Sequence, residues 1–184
     1  MRNDILLIAA LACAALAACG ERSDVATKTA PAVPAGATSS APSPAAPATL
    51  ADGIVFSKAA LPDFVARTEG IAQAEAFGRW TDGAKAVIEF KQPLPAKFDL
   101  VVEGAAYGPN VGQPVEVTIG SATQALVFTA EMGKASETKR LAFSSEQPAN
   151  RIELKIPRPT RPQNGDLREL GIALITLKIE SATR

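Results

Sequence analysis

Apolar and polar residues alternate with a period of two through much of the second half of the chain. Phe98, Leu100 and Val102 alternate with Asp99 and Val101. A period of two puts successive side chains on opposite faces of a strand, and it is typical of antiparallel sheets that pack on one face only. The same pattern, or a short apolar run, predicts further strands at 84–90, 115–119, 126–128, 141–143, 152–156 and 172–179.

Turn-forming residues separate these runs. They stand at Thr81-Asp82-Gly83, Gly108-Pro109-Asn110, Gly120-Ser121 and Asn164-Gly165. Glycine, proline, asparagine and aspartate favour tight turns because of their backbone freedom or their local hydrogen bonding. Many short strands with turns between them predict an all-β fold, an antiparallel β-sandwich of the jelly-roll type, over residues 51–184.

The amino-terminal pattern is different, because an uninterrupted apolar run from Ile5 ends at Cys19. Residues 5–18 are shorter than the roughly 20 apolar residues that span a bilayer. A short apolar run followed by small residues is typical of a secretory signal. Leu16-Ala17-Ala18-Cys19 resembles a bacterial lipoprotein signal, so residues 1–18 are predicted to be removed and Cys19 to carry diacylglycerol and palmitate. A plain secretory signal and a transmembrane helix are the alternatives.

The residue after the cysteine, Gly20, bears on localisation. In lipoproteins of the enterobacterial type, aspartate at that position marks retention in the inner membrane. The resemblance therefore implies an outer-membrane protein that faces the periplasm, or alternatively the cell surface. Several acyl chains together give a stable membrane anchor.

A proline- and alanine-rich segment follows the cysteine. Residues 30–48 contain five prolines and, apart from Val33, no large apolar side chain. Such a stretch cannot bury enough apolar surface to offset its ordering entropy, and its prolines favour extended backbone. We therefore predict a tether over residues 19–50.

The composition excludes several classes of function. The chain has 19 Lys+Arg against 19 Asp+Glu, so it predicts no basic surface for nucleic acid. It contains no histidine, which excludes Ser-His-Asp and Cys-His catalysis as well as His-based metal sites. With Cys13 in the signal and Cys19 lipidated, no disulfide is expected. We predict a protein that is not an enzyme and has no metal or cofactor, while a hydrolase with paired carboxylates stays formally open.

Two motifs contain candidate ligand-binding residues. In Phe77-Gly78-Arg79-Trp80, the indole of Trp80 could stack on a sugar while Arg79 binds hydroxyls or phosphate. The alternative is that Trp80 packs in the core and Arg79 pairs with a carboxylate. In the stiff segment Pro157–Pro162, Arg158 and Arg161 could bind a phosphate, or they could be solvated on a crossover between strands.

A third motif, Asp166-Leu167-Arg168-Glu169-Leu170-Gly171, follows the Asn164-Gly165 turn. If the segment is extended, the side chains of Asp166 and Arg168 lie on the same side. The pair could support Arg79 or Glu75 in a buried network, and we favour this structural role over a catalytic one.

Residues from Glu75 to Ile179 contain a series of motifs that occur together in one family. They are Gly78-Arg79-Trp80-Thr81, Leu94-Pro95, Gly108-Pro109-Asn110, Gln113-Pro114-Val115, 156–162 and 165–174. They resemble a small domain of unknown function at the carboxyl end of bacterial membrane-bound phosphoglycerol transferases, sulfatase-like relatives and some glycosyltransferases. Its members usually have serine where Thr81 and Thr160 stand here. The resemblance implies a β-sandwich of the carbohydrate-binding-module type beside enzymes that modify envelope glycans.

Together these observations predict an envelope lipoprotein whose sandwich binds a cell-envelope glycan or phosphoglycan without catalysis. The membrane, through the lipid on Cys19, and that glycan are the expected partners, with an envelope protein as a further one. The alternative is a structural or protein-docking lipoprotein without a small ligand. The candidate ligand-binding residues are Arg79, Trp80, Arg158, Arg161, Asp166 and Arg168.

Overall fold

The structure, a computed structural model, describes residues 48–182. The chain divides into two units, Met1–Ser43 and Pro44–Arg184, and the first of them lies outside the described residues. The predicted signal peptide, Cys19 and almost all of the predicted tether lie outside them as well. The statements below concern the second unit alone.

The second unit is all-β and antiparallel, which confirms the predicted fold class. Its only helical element within residues 48–182 is a 3₁₀ turn at Gly108–Asn110. No helix in this part of the chain is long and apolar enough to cross a membrane. The strands are β1 Ile54–Val55, β2 Val65–Glu69, β3 Arg79–Asp82, β4 Lys85–Phe90, β5 Lys97–Ala106, β6 Pro114–Ile119, β7 Ala122–Val127, β8 Glu137–Ser144, β9 Arg151–Lys155 and β10 Leu170–Ser181.

The strands form two five-stranded sheets. Sheet I has the order β1-β10-β5-β8, and β3 also pairs with β10; sheet II has the order β2-β4-β9-β6-β7. Every consecutive pair of strands lies in different sheets except β6 and β7, which form a hairpin. Repeated crossing between two packed sheets is the jelly-roll arrangement.

The main core lies between the two sheets. The predicted inward residues of β5, Phe98, Leu100 and Val102, are buried there. Apolar residues of the other long strands face them from both sides, so that burial of apolar surface holds the sheets together. The largest fully buried side chains are Phe56, Phe90, Phe98, Phe128, Ile54, Ile88, Leu100, Ile119, Leu126, Ile152, Leu154 and Ile172.

A second, smaller apolar cluster lies on the outer face of sheet I. Ala173 is paired with Trp80 on one side and with Ala105 on the other. Its chain neighbours Ile172 and Leu174 belong to the main core, so strand alternation puts Ala173 and Trp80 on the opposite face. Trp80, Leu170 and Ala173 are the buried members of this cluster, and Ala72, Phe77, Tyr107 and Met132 pack against them.

The first residues that the structure describes already contact the domain. The N–H of Ile179 donates a hydrogen bond to the Leu50 carbonyl at 3.1 Å, and the Leu50 side chain packs against the main core. The Thr49 carbonyl accepts a hydrogen bond from the N–H of Gly53 at 3.1 Å. Leu50, which the sequence assigned to the tether, therefore contributes to the sandwich.

Candidate functional site

The sequence motifs that are far apart along the chain meet at one end of sheet I. β3 carries Trp80 alongside β10, and the N–H of Tyr107 donates to the Gly171 carbonyl at 2.9 Å. Thr160 and Leu170 exchange two main-chain hydrogen bonds of 2.9 and 3.0 Å. We call this region, defined by Trp80, Tyr107, Arg158 and Leu170, the Trp80 end.

Two glycines permit this close assembly. A Cβ atom on Gly78 would lie 2.1 Å from the Leu174 carbonyl oxygen, so β3 could not approach β10 with a larger residue there. A Cβ atom on Gly171 would lie 2.4 Å from the side chain of Ile156 and 2.8 Å from the Thr81 hydroxyl. That hydroxyl is fully buried and accepts a hydrogen bond from the N–H of Ile172 at 3.0 Å.

Trp80 is a packing residue in this structure. Only 8% of its surface is exposed. The rings of Phe77 and Tyr107 meet the indole edge-on, with centroid distances of 5.4 and 5.6 Å. Edge-to-face pairs at this separation stabilise the packed state beyond simple burial. The burial favours the packing interpretation of Trp80, and contact between its ring and a ligand stays a prediction.

Arg79 holds main-chain segments together. Its Nε donates to the Phe56 carbonyl at 3.2 Å, and its Nη2 donates to the carbonyls of Lys58 and Ala59 at 3.1 and 2.9 Å. Its Nη1 lies 3.5 Å from the Ala72 carbonyl. The carboxylate partner expected from the sequence is replaced by these carbonyls. Arg79 also lines a groove of about 270 Å³, so its predicted ligand contact is untested rather than excluded.

Asp166 and Arg168 form the network that the third motif predicts. The Arg168 guanidinium makes several contacts with the Asp166 carboxylate, the shortest at 2.6 Å, and Nη1 donates to Glu75 at 2.7 Å. The predicted partner Glu75 is therefore confirmed, while Arg79 is not part of this network. The predicted burial is wrong, because the three side chains are 21% to 38% exposed at the edge of the sandwich. Hydrogen bonds from the side chain and main chain of Arg168 lower the pKa of Asp166 to about 2. The same carboxylates raise the pKa of Arg168.

Arg158 is held by its main chain while its side chain is exposed. Nδ2 of the buried Asn110 donates to the carbonyls of Arg158 and Tyr107 at 2.7 and 3.1 Å, and Oδ1 accepts from the Arg158 N–H at 3.1 Å. Pro157 and Pro159 flank the arginine and restrict its backbone. Within residues 48–182, the Arg158 guanidinium makes no hydrogen bond or ion pair.

Arg161 and Leu167 lie on the same exposed loop. Main-chain hydrogen bonds between Thr160 and Leu170 join the two ends of this loop. Arg161 is 58% exposed at its side chain and lies 3.8 Å from Glu169. An exposed pair of this length contributes little to stability, so Arg161 is available for another anion. Leu167 is 78% exposed, and it is the exposed large hydrophobic residue of the described part of the chain.

Sequence reasoning did not identify Asn110 and Tyr107 as members of this region. Asn110 was placed only in a turn motif, although it is buried and satisfies the main chain of Arg158. Tyr107 is the only tyrosine of the chain and directly precedes the same turn, which is the signal that could have identified it. Its hydroxyl has no hydrogen-bond partner among the described residues.

The exposed side chains of the Trp80 end are hydrogen-bond donors of the type that can bind anions and hydroxyl groups. Within residues 48–182, no group of three His, Cys, Asp or Glu side chains is placed to hold a metal ion. The expectation that the protein needs no metal or cofactor stays a prediction, as does the assignment of the six candidate residues to ligand binding. The Trp80 end supplies two exposed guanidinium groups, a phenol and a structural ion network.

A comparison with protein families gives a match over residues 44–181 to the model described as "Domain of unknown function (DUF7024)". This chain belongs to the DUF7024 family. The resemblance inferred from the motifs is thereby confirmed, and the matched residues include all of the strands described above.

The curated relatives of this DUF7024 protein are much longer than it is. Phosphoglycerol transferase I of Escherichia coli O6:K15:H31 is 35% identical over 137 residues, which cover 70% of this chain and 17% of the relative. The proteins of the same name from Escherichia coli O139:H28 and Shigella boydii serotype 18 are 34% identical with the same coverage. The chain thus spans about one sixth of the length of these relatives.

Solved structures with a similar outline are carbohydrate-binding modules. A CBM29-2 variant complexed with mannohexaose has a TM-score of 0.47 and 11% identity, covering 70% of this chain and 89% of that chain. A variant complexed with cellulohexaose has a TM-score of 0.46 and 11% identity, with 70% and 88% coverage. Because the TM-scores lie below 0.5, nothing about ligands is transferred from these proteins.

Proposed function

We propose that this DUF7024 domain is a non-catalytic module that binds an anionic cell-envelope glycan, one that carries phosphoglycerol groups. Asn110 holds the main chain of Arg158 while the exposed guanidinium has no partner among residues 48–182, and this is the observation that carries the proposal. An arginine is suited to phosphate because its planar N–H groups can donate two parallel hydrogen bonds to one phosphate. The name of the curated relatives, phosphoglycerol transferase I, supports phosphoglycerol as the anionic group.

The main chain gives Arg158 the rigidity that a binding residue needs. Two prolines and two hydrogen bonds from Asn110 set its backbone before a ligand arrives, so binding has to order the side chain alone. Arg161 follows three residues later, at the start of the loop that the Thr160 and Leu170 bonds close, and supplies a second cation. Tyr107 lies beside them through the shared Asn110 amide, and its phenol can bond to a sugar hydroxyl.

The same proposal includes the position of the protein in the cell. We infer that lipid on Cys19 anchors the chain to the outer membrane, facing the periplasm or alternatively the cell surface. The Leu16-Ala17-Ala18-Cys19 motif supports this part, and it lies outside the described residues. Anchoring would keep the sandwich close to envelope glycans, with the proline-rich tether as a spacer.

Titration of the full-length protein in detergent with a phosphoglycerol-bearing oligosaccharide tests the proposal. We expect Arg158→Gln/Arg161→Gln to weaken binding roughly ten-fold or more, because each arginine supplies charge-assisted hydrogen bonds. The control is Arg67→Gln, which removes an exposed arginine from sheet II. Equal affinities of the double variant and the wild type would contradict the proposal.

A second candidate function is protein docking without a small ligand, favoured by the exposure of Leu167. A leucine that is 78% exposed between Asp166 and Arg168 could insert into an apolar depression of an envelope protein. A photo-crosslinking residue at position 167 tests this candidate in cells. The control is a crosslinker at the exposed Lys134. One partner that is crosslinked from position 167 and not from position 134 would favour docking, and no partner at position 167 would contradict it.

A further inference from the structure

A polar groove on the outer face of sheet II is separate from the Trp80 end. It has a volume of about 360 Å³ and lies between the β6–β7 turn and the segment that enters β9. This volume is within the range of small-molecule sites, about 300 to 1,000 Å³. Its lining is formed by Thr118, Gly120, Pro148, Ala149, Asn150, Arg151 and Glu153.

The floor of the groove contains a fixed pair of opposite charges. Arg151 and Glu153 are two residues apart on β9 and therefore lie on the same face of the strand. Their side chains are joined by a 2.6 Å contact from Nη2 to Oε2, and they remain 41% and 38% exposed. Because the charges cancel, the groove favours neither an anion nor a cation, while both donors and acceptors remain available to a ligand.

The wall of the groove is held in place by the main chain. The carbonyls of Ala149 and Asn150 accept hydrogen bonds of 2.7 Å from the N–H groups of Leu94 and Phe90. The Asn150 amide donates to the Phe90 carbonyl at 3.3 Å, which leaves its Oδ1 without a partner among residues 48–182. Pro148 and Ala149 add an apolar surface to this wall. The groove is thus preformed, so little ordering is needed when a ligand binds.

We propose that this groove binds the neutral ring of a hexose unit in a glycan chain, through Arg151, Glu153, Asn150 and Thr118. Vicinal hydroxyl groups each donate and accept one hydrogen bond, and they match a surface on which a carboxylate, an amide oxygen and a guanidinium stand side by side. The C–H face of the ring would lie on Pro148 and Ala149. The inference shares the ligand class of the proposed function, but it rests on different residues in the other sheet.

The groove contrasts with the Trp80 end in charge. Arg158 and Arg161 are suited to a phosphate group, whereas the paired charges of Arg151 and Glu153 give the groove no net attraction for one. The two regions would therefore recognise different parts of a substituted glycan, the anionic substituent and the neutral backbone. Once a glycan is bound at one of the two regions, its binding at the other is an intramolecular step. A glycan that reaches both regions would therefore bind more tightly than it binds to either region alone.

Amide chemical shifts of the full-length ¹⁵N-labelled protein, titrated separately with cellohexaose and mannohexaose, test this inference. We expect at least one of these neutral oligosaccharides to shift the amides of Thr118, Asn150, Arg151 and Glu153, and to leave those of Tyr107 and Arg158 in place. The variant Glu153→Gln should bind that oligosaccharide roughly ten-fold or more weakly, because a charged acceptor is lost. The matched control is Glu116→Gln, an exposed carboxylate on sheet II that pairs with Lys155.

The outcomes separate this inference from the proposed function. Absence of shifts in the groove with both oligosaccharides would overturn the groove and leave the Arg158 proposal standing. Shifts confined to the amides of Tyr107 and Arg158 would likewise overturn the groove and leave the Arg158 proposal standing. Equal weakening by Glu153→Gln and Glu116→Gln would overturn the assigned chemistry. Groove shifts that are lost in Glu153→Gln would support the inference even if Arg158→Gln has no effect on a phosphoglycerol-bearing ligand.

Discussion

The side chain of Asn110 forms two hydrogen bonds with the main chain of Arg158. Nδ2 donates to the Arg158 carbonyl at 2.7 Å, and Oδ1 accepts from the Arg158 N–H at 3.1 Å. A residue of the turn after β5 thus fixes the arginine that follows β9, 48 positions along the chain. Asn110 thus holds the backbone of this exposed loop arginine in place, and its charged side chain extends from a fixed Cα position.

Replacement of Asn110 should lower stability. Asn110→Ala leaves the N–H of Arg158 without its partner, and an unsatisfied main-chain group at this part-buried site costs about 1 kcal/mol, the lower end of the usual range. The carbonyls of Arg158 and Tyr107 keep the Thr160 hydroxyl and the main-chain N–H of residue 110 as donors. Urea unfolding measures the change, with the exposed Gln163→Ala as control, expected within about 0.5 kcal/mol of the wild type. A wild-type midpoint for Asn110→Ala would show that water replaces the amide.

Removal of the Trp80 ring should destabilise the domain strongly. Trp80→Ala deletes the centre of the outer cluster, and such truncations cost about 3 to 5 kcal/mol. Trp80→Phe should cost less, because a ring still meets Phe77 and Tyr107. As Trp80 is the only tryptophan, its fluorescence monitors wild-type unfolding directly, and circular dichroism serves for the variants. A Trp80→Ala protein that keeps its stability and loses glycan binding would identify the indole as a sugar platform.

Loss of the Arg79 side chain should also weaken the fold. In Arg79→Ala, the carbonyls of Phe56, Lys58 and Ala59 lose their donor. Hydrogen bonds to charged groups contribute about 1.5 to 3 kcal/mol each, and partial exposure of this site reduces the total to about 2 kcal/mol. Arg67→Ala, which removes one exposed pair, should cost at most about 1 kcal/mol. Equal losses of stability in the two variants would contradict the structural role of Arg79.

The pairing of Asp166 with Arg168 has a defined pH dependence. The pKa of Asp166 is lowered to about 2, below the ordinary value of about 3.9. A carboxyl group with a lowered pKa in the folded state stabilises that state fully above about pH 4, and the contribution is lost as the pH falls through about 2. Carboxyl carbon shifts should give a midpoint near 2 for Asp166. In Arg168→Gln the midpoint should return towards 3.9, and an unchanged midpoint would contradict the pairing.

Lipidation of Cys19 can be tested independently of ligand binding. We expect Cys19→Ala to remain an unlipidated precursor, because no other group in the motif can form the thioether. Metabolic labelling with a radioactive fatty acid should mark the wild type and Cys13→Ala equally, and leave Cys19→Ala unlabelled. Labelled Cys19→Ala would show that the anchor assignment is wrong.

The long strands could be predicted from the sequence because their alternation reflects one packed and one wet face. β5, β6 and β9 lie where the periodicity puts them. β2 was missed because only Val65 of its residues is buried, and β3 because Trp80 and Thr81 are both buried on opposite faces. In β3, Trp80 packs in the outer cluster and the adjacent Thr81 is buried on the other face, so buried and exposed positions do not alternate.

The sequence predicted one side-chain network of this region, but it did not predict the main-chain contacts of Arg79 and Asn110. The pairing of Asp166 with Arg168 could be predicted because the two residues are only two positions apart, whereas Glu75, 93 positions from Arg168, was one of two alternative partners. The carbonyl partners of Arg79 come from residues 56–59 and 72, and nothing in the local sequence specifies them. The role of Asn110 depends on the path of the chain after β9, which brings Arg158 next to the Asn110 side chain. Only the three-dimensional fold shows this path.

The central claim, that Arg158 recognises the phosphate of a substituted glycan, is tested most directly by a cycle of four affinities. The wild type and Arg158→Gln are each titrated with one oligosaccharide and with its phosphoglycerol-bearing form. We predict that the wild type prefers the phosphoglycerol form roughly ten-fold, about 1.4 kcal/mol, and that Arg158→Gln loses most of this preference while its affinity for the plain oligosaccharide is unchanged. A preference that is the same in both proteins would contradict the claim.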